Sequence, residues 1–136
     1  MKSLCIIPVF NEDNMLNALI DQIKKSNFSE YNLSYLFVNN GSTDNSLQLI
    51  KKSGVKFLNL KNNKGVGHAL MMGYLFAEKY NFDYLIHLAG NGKMNPGQIG
   101  RFMQSLIDED YDFISGSRFL IGSSRKNNPL IRIVLI

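Results

Sequence analysis

The segment HLAGNGKMNP, residues 87–96, places a histidine, a lysine and two asparagines in a glycine-containing loop. It begins at the end of an apolar run and finishes at Asn95-Pro96, a pair typical of a helix start. Glycine lets a backbone approach a ligand closely, and Lys93 adds one positive charge. The loop contains no carboxylate, the group that normally holds a magnesium or manganese ion. Ammonium and backbone N–H groups instead stabilise anionic oxygens, so the loop suits a phosphate better than a metal ion.

Three further polar segments follow apolar runs, namely PVFNE, NNGSTD and GSR at residues 8–12, 39–44 and 116–118. In NNGSTD, Gly41 permits a positive φ, so the segment either opens a helix N-terminus to an anion or is only a turn with a cap. Glu12 and Asn39 could each pair with a nucleobase or a sugar hydroxyl, and surface capping is an equal alternative. Spacing alone does not decide between an anion site and a turn in NNGSTD, or between ligand binding and surface capping for Glu12 and Asn39.

Strand and helix signals alternate along the chain. Short apolar runs predict strands at residues 4–9, 33–38, 55–60, 84–88 and 111–115. Helical spacing predicts helices over about 13–25 and 66–79, a helix that opens at Ser42 or Thr43, and one capped by Asn95. This alternation predicts the α/β class, with a mostly parallel sheet and helices on both faces. Ligands of such sheets bind beyond the carboxyl ends of the strands, where all four polar segments fall.

Several common sites are not supported by the sequence. The segment NNKGVGHALMMG, residues 62–73, lacks the third glycine of a dinucleotide fingerprint because position 70 is a leucine, and no P-loop is present. Gly73 is expected to let a helix pack closely on the sheet. A zinc site is not expected, since His68 and His87 are the only histidines and Cys5 the only cysteine. Cys5 is predicted to be a core residue.

Composition indicates one globular domain over residues 1–136, with 45% hydrophobic and 19% charged residues and a net charge of +4. The single cysteine is typical of a cytoplasmic protein. No acid follows Asp112, whereas Arg118 and three more basic residues do. This end suits an anionic partner, either a phosphate-bearing substrate or a membrane surface, or is simply solvated. Nucleic acid is not expected, because no aromatic-basic stacking motif appears.

The last segment, PLIRIVLI at residues 129–136, is apolar and ends abruptly. A stable domain rarely finishes on such a run. We therefore expect either a fragment that lacks its C-terminal acceptor part or an apolar surface that a second copy covers in a homo-oligomer.

Five segments in order resemble the family 2 glycosyltransferases, which have the GT-A fold, a Rossmann-like α/β fold. The resemblance is strongest to the polyprenyl-phosphate (dolichol-phosphate) sugar transferases, and it covers the chain from residue 4 to about 120. The segments are IIPVFNE (6–12), FVNNGSTDNS (37–46), NNKGVGHALMMGY (62–74), YLIHLAGNGKMNP (84–96) and FISGSR (113–118).

The resemblance implies a nucleotide-sugar donor and transfer with inversion. Residues that would line the nucleotide are Pro8, Phe10 and Glu12. Asn39 would match an acidic residue that recognises the base, and Asn40 would match its acidic neighbour. Arg118 would lie near the diphosphate.

The family's Asp-x-Asp metal motif falls at Ala89, Gly90 and Asn91, so both carboxylates are absent and a magnesium or manganese cofactor is doubtful. These three residues are still expected to contact the donor, with Asn91 as a weak metal ligand or a hydrogen-bond donor. We predict that Lys93 and Arg118 are the catalytic residues, which stabilise the charge of the leaving diphosphate.

The lack of a candidate general base indicates what kind of acceptor to expect. Inverting transfer to a hydroxyl needs a general base, usually a carboxylate, and none follows Asp112. A phosphate is already ionised near neutral pH, which favours a lipid-phosphate acceptor and a location at the inner face of the membrane. One alternative is a catalytically degenerate domain with a nucleotide-sugar-binding or regulatory role. Another is an unrelated doubly wound domain, in which Glu12, Asn39 and Lys93 would not share a pocket.

Overall fold

A computed structural model describes residues 1–117 of the 136-residue chain. The chain divides into two compact units, Met1–Arg101 and Phe102–Ile136, and the first contains every strand of the sheet. Its elements in order are β1 (Ser3–Val9), α1 (Asp13–Lys25), a 3₁₀ turn (Ser29–Tyr31), β2 (Leu33–Asn40), α2 (Ser46–Ser53), β3 (Phe57–Leu60), α3 (Val66–Lys79), β4 (Tyr84–His87) and a second 3₁₀ turn (Pro96–Gln98). A fourth helix, α4 (Ile99–Asp108), begins in the first unit and ends in the second.

All four strands are parallel and lie in the order β3-β2-β1-β4. The register pairs Ser3 of β1 with Leu33 of β2 and with Tyr84 of β4, and Phe37 of β2 with Phe57 of β3. The prediction of a parallel α/β sheet is confirmed. The carboxyl ends of β1, β2 and β4 consequently meet along one edge of the sheet.

One face of the sheet packs against α3. Its core contains Leu4, Ile6, Leu36 and Val38 from the central strands, together with two alanines of the helix. A Cβ added to Gly73 would lie 2.6 Å from the Ile6 side chain, so this glycine lets α3 approach β1, as predicted.

The opposite face packs against α1 and α2. Side chains alternate along a strand, so Cys5, Ile7 and Phe37 point away from α3. The apolar face of α1 is buried through Leu16, Leu19, Ile20 and Ile23. Helices on both faces of the sheet are therefore confirmed. Cys5 is fully buried, and burial raises the pKa of its thiol far above the usual range, as suits a core residue.

Two expectations about the elements are wrong. Residues 111–115 form no strand, and Phe113 is 81% exposed. A parallel strand depends on cover over both faces, and this segment lacks it. The second helix begins at Ser46 rather than at Ser42 or Thr43, because the intervening residues form a turn. The helix start at Asn95 is confirmed: Asn95 Oδ1 accepts from the Gly97 N–H at 2.9 Å, and the capped 3₁₀ turn leads directly into α4. Between residues 1 and 117, no helix is both long and apolar enough to span a membrane.

A tyrosine–histidine pair joins α3 to the end of β4. The Tyr74 hydroxyl lies 2.6 Å from His87 Nε2, and the two ring centroids are 5.3 Å apart. Burial lowers the pKa of His87. The folded protein therefore favours the neutral imidazole.

We expect this histidine to make the protein less stable in mild acid. Because its folded-state pKa lies below the ordinary value of about 6.5, its contribution is present above that pH and is lost as the pH falls through the folded-state pKa. Melting temperatures between pH 7 and pH 5 should fall more steeply for the wild type than for His87→Gln. Equal slopes for the two proteins would contradict this assignment.

Candidate nucleotide-sugar site

A groove of about 330 Å³ opens at the carboxyl edge of the sheet within the first unit. Four chain segments contribute to it: the end of β1 with its following loop, the end of β2, the turn after β3, and the loop after β4. The lining residues are Pro8, Val9, Phe10, Glu12, Asn40, Asn63, Gly65, Val66, Ala89, Gly90 and Asn91. Residues far apart in the sequence thus share one surface.

The loop after β4 lies directly against the backbone of β1. The Gly90 N–H donates to the Pro8 carbonyl at 3.3 Å. A Cβ on Gly90 would lie 2.7 Å from that same oxygen, closer than non-bonded atoms can approach. Only glycine fits at position 90, and its contact with Pro8 holds two lining segments of the groove against each other.

The NNGSTD turn is held by the loop after β1. Asn11 adopts φ +53°, and its Oδ1 accepts from the Thr43 N–H at 2.8 Å. The Ser42 N–H donates to Asn39 Oδ1 at 3.3 Å, and the Ser46 N–H donates to Asp44 Oδ1 at 2.9 Å. These backbone donors are engaged inside the protein. Of the two alternatives for this segment, the structure favours the turn with internal caps over an anion site.

Asp44 belongs to the same cluster. Burial raises the pKa of its carboxyl, but hydrogen bonds from Ser46 and from the Asp13 N–H outweigh burial, so the net pKa lies below the usual range. The adjacent Glu12 N–H donates to the Ser46 hydroxyl at 2.9 Å. The loop that carries Glu12 into the groove is therefore fixed at its base.

Two buried asparagines end β2 and differ in role. Asn39 is 1% exposed; its Nδ2 donates to Asn59 Oδ1 at 2.7 Å, and its Oδ1 accepts from Ser42. Asn40 donates to Asn63 Oδ1 at 2.8 Å and to the Gly65 carbonyl at 3.1 Å. Asn40 lines the groove, whereas Asn39 lies behind it and ties β2 to β3. An aspartate at position 39 could not donate to Asn59.

We expect Asn39→Ala to destabilise the protein by about 1–3 kcal/mol, because it removes two hydrogen bonds made by a buried side chain, one with Asn59 and one with Ser42. Urea unfolding followed by circular dichroism would measure the change. Asn62→Ala is the matched control: this exposed residue should change stability by less than about 0.5 kcal/mol. A loss no larger than that of the control would contradict the structural role of Asn39.

Glu12 is the single carboxylate among the lining residues of the groove. Burial raises the pKa of Glu12, the positive charge of Lys93 lowers it, and Asp44 raises it, with a net increase. Lys93 itself is exposed and does not line the groove, but its charge acts on a residue that does. Arg118, the other cation predicted to act on the diphosphate, lies outside the described residues.

The residues of the loop after β4 do not fit a divalent metal ion. Ala89 and Gly90 offer no side-chain ligand, and Asn91 Oδ1 accepts from the Lys93 N–H at 3.1 Å. Between residues 1 and 117, no group of three or more His, Cys, Asp or Glu side chains could hold a metal. The printed sequence has none of these four residue types after Asp112.

Four lining residues are not among those predicted from the sequence, namely Val9, Asn63, Gly65 and Val66. The last three follow the third strand, whose end the sequence prediction does not include in the site. The signal was available, because β3 is parallel to its neighbours and its carboxyl end lies at the same edge.

The glycosyl transferase family 2 model matches residues 4–134. The chain therefore belongs to glycosyl transferase family 2, and the resemblance noted from the sequence is confirmed.

Two curated proteins are similar to this chain over nearly its whole length. The UDP-N-acetylglucosamine–dolichyl-phosphate N-acetylglucosaminyltransferase of Methanococcus voltae is 25% identical over 146 residues, covering 95% of this chain and 57% of that protein. The polyprenol monophosphomannose synthase of Mycolicibacterium smegmatis is 24% identical over 140 residues, covering 98% of this chain and 51% of that protein. This chain thus spans about half the length of the curated relatives it matches.

A solved structure shows the shared fold. Glucosyl-3-phosphoglycerate synthase from Mycobacterium tuberculosis, in complex with Mn²⁺, UDP and glucosyl-3-phosphoglycerate, aligns with a TM-score of 0.60 and 16% identity, covering 78% of this chain and 39% of that one. The GT-A fold expected from the sequence is confirmed.

Proposed function

We propose that this chain is the donor-binding part of a glycosyltransferase that moves a sugar from a nucleoside diphosphate to a polyprenyl phosphate. The observation that carries the proposal is the groove at the carboxyl edge of the sheet. Its volume of about 330 Å³ is within the range of small-ligand sites, roughly 300–1,000 Å³.

The residue types around the groove suit a nucleotide sugar. Phe10 is 41% exposed and offers an aromatic surface to a base or ribose. Glu12 can accept hydrogen bonds from sugar hydroxyls or a base N–H, and the Asn40 and Asn63 amides extend the polar lining. The backbone around Gly90 offers a close approach to the diphosphate, next to Ala89 and Asn91. Asn39 supports this surface from behind.

An anionic acceptor makes the chemistry balance without a general base. An oxygen of the acceptor phosphate attacks the anomeric carbon from the face opposite the leaving group. A new carbon–oxygen bond forms as the bond to the diphosphate oxygen breaks. The nucleoside diphosphate leaves with that electron pair, and the configuration inverts. No proton must be removed from the nucleophile.

Apolar side chains are exposed around the same groove, which suits a lipid acceptor. Val66 is 61% exposed within the lining, and Met15 and Met94 are exposed beside the loop after β4. With the basic charge after Asp112, this composition favours a protein bound peripherally at the cytoplasmic face of a membrane. The name of one relative includes dolichyl phosphate, and the name of the other gives polyprenol monophosphomannose as its product, which supports the same class of acceptor.

A second candidate function is nucleotide-sugar binding without transfer. It is favoured by the absence of carboxylates at Ala89 and Asn91. It predicts the same donor selectivity and no product.

The proposal is tested on the full-length protein in two steps. A thermal-shift panel of UDP-, GDP- and dTDP-sugars, with and without Mn²⁺, should yield a selective stabilisation by one base. The selected sugar, radiolabelled, is then incubated with a short polyprenyl phosphate. We expect a labelled lipid and one released nucleoside diphosphate per sugar transferred.

Glu12→Gln should weaken donor binding, whereas Glu30→Gln, an exposed change outside the groove, should not. Binding without product in the presence of acceptor would support the second candidate. The lack of a selective shift with any donor would overturn both candidate functions and leave an unrelated function for this edge of the sheet.

The homo-oligomer predicted from residues 129–136 concerns residues outside those described.

A further inference from the structure

We infer that the ammonium group of Lys93 takes the place of a divalent metal ion in this site and stabilises the diphosphate of the donor. The inference rests on the proposed function. It deepens that function by assigning the source of positive charge to the chain itself.

The first step is the lack of metal ligands in the loop after β4, where the family resemblance places the Asp-x-Asp metal motif. The loop after β4 contributes a methyl group at Ala89, no side chain at Gly90 and an amide at Asn91. The Gly90 position has no room for a longer side chain, because a Cβ would lie 2.7 Å from the Pro8 carbonyl oxygen. Carboxylate ligands for a hard cation are absent from this loop.

The second step is the way in which this loop holds Lys93. Asn91 Oδ1 accepts from the Lys93 backbone N–H at 3.1 Å, and Gly92 between them has φ +67°. The asparagine oxygen therefore closes a tight turn instead of facing a cation. The turn fixes the backbone of Lys93 one residue beyond a glycine and two beyond a residue that lines the groove.

The third step is the availability of the charge. Lys93 acts electrostatically on Glu12 inside the groove. Among residues 1–117, no carboxylate lies within 4.0 Å of the Lys93 ammonium, so no ion pair in this part of the chain neutralises it. A lysine ammonium is a compact cation with three donors, and it binds phosphate oxygens as a point charge.

The test measures nucleoside diphosphate binding by calorimetry in EDTA, using the base selected in the thermal-shift panel and the matching nucleoside without phosphates. The wild type should bind the diphosphate in EDTA, and Mn²⁺ should change its Kd by less than about twofold. Lys93→Met should weaken diphosphate binding about tenfold or more, the loss expected for one charge-assisted hydrogen bond, and leave nucleoside binding unchanged. Lys93→Arg should recover most of the affinity.

Lys52→Met is the matched control, since it removes an exposed lysine of α2 outside the groove. It should leave both affinities within about twofold, because Lys52 is not a lining residue of the groove and exposed charges are screened by salt. A diphosphate that binds only with Mn²⁺ would overturn the inference and preserve the proposed function. So would a Lys93→Met protein with unchanged affinity. If the diphosphate bound neither in EDTA nor with Mn²⁺, both the inference and the proposed function would be overturned.

A gain-of-function variant provides an independent readout. Ala89→Asp combined with Asn91→Asp places two carboxylates in the loop and keeps an acceptor oxygen for the Lys93 N–H. In the Lys93→Met background, Mn²⁺ should strengthen diphosphate binding by about tenfold or more. The same ion should have little effect on Lys93→Met alone. Equal responses of the two proteins to Mn²⁺ would contradict the inference that the Lys93 ammonium takes the place of a metal ion.

Discussion

Gly41→Ala is expected to destabilise the protein by about 3 kcal/mol or more. Gly41 has φ +72°, which an alanine tolerates poorly. An added Cβ would also lie 2.7 Å from the backbone carbon of Asn62 and from the Asn63 nitrogen. These are backbone atoms, which cannot move aside as a flexible side chain can. Urea unfolding monitored by circular dichroism would measure the loss.

Gly54→Ala separates the two causes. Gly54 has nearly the same dihedral, φ +74°, but nothing lies within 4 Å of its added Cβ. Its cost should be that of the left-handed conformation alone, about 1–2 kcal/mol. If the two variants were equally stable, the contact of Gly41 with the turn after β3 would not exist as described.

Gly90→Ala is expected to reduce donor binding by about tenfold or more while costing about 1–3 kcal/mol of stability through overpacking. The methyl group would collide with the Pro8 carbonyl and lie 3.0 Å from Val9 Cγ2. Relief requires the loop after β4 to move away from β1, which breaks the Gly90–Pro8 hydrogen bond and moves Asn91. Thermal shift with the selected nucleotide sugar and calorimetric Kd values would measure both effects.

Gly67→Ala is the matched control for this variant. Gly67 adjoins the groove residue Val66, yet nothing lies within 4 Å of its added Cβ. Because it lies within α3, alanine should stabilise the helix by up to about 1 kcal/mol and leave binding unchanged. Undiminished donor binding by Gly90→Ala would mean that the contact between Gly90 and Pro8 does not matter for the ligand.

The elements with a strong apolar period were predictable from the sequence. Helices α1 and α3 occupy residues 13–25 and 66–79, as their spacing indicated. The start of α2 was not predictable, because residues 42–44 are hydrogen-bonded to Asn11, which lies 31 to 33 positions earlier in the chain. The prediction of a fifth strand was wrong for a related reason. The pattern in residues 111–115 shows that the segment is apolar, but a strand also requires a neighbouring strand and elements packed over its faces, which the pattern does not encode.

The location of the site could be predicted from the sequence better than the role of each residue in it. Parallel strands must bring their carboxyl ends together, so Pro8, Glu12 and Gly90 could be placed at one edge before any coordinates. The hydrogen bonds of Asn39 could not be predicted in this way. Whether a buried amide faces a ligand or a neighbour depends on which partner sits across from it, and here that partner is Asn59. Such pairings depend on three-dimensional detail that residue type alone does not encode.

The sheet ends on two very short strands, β3 and β4, of four residues each. Within residues 1–117, each pairs with one neighbour only, so each presents an outer row of backbone N–H and C=O groups. Unpaired rows of this kind can recruit strands from other molecules, and brevity is one of the ways in which proteins limit that risk. When this part of the protein is expressed by itself, intermolecular strand addition at β3 or β4 is therefore the route to aggregation to guard against, and lysine substitutions on these two strands are the means of preventing it.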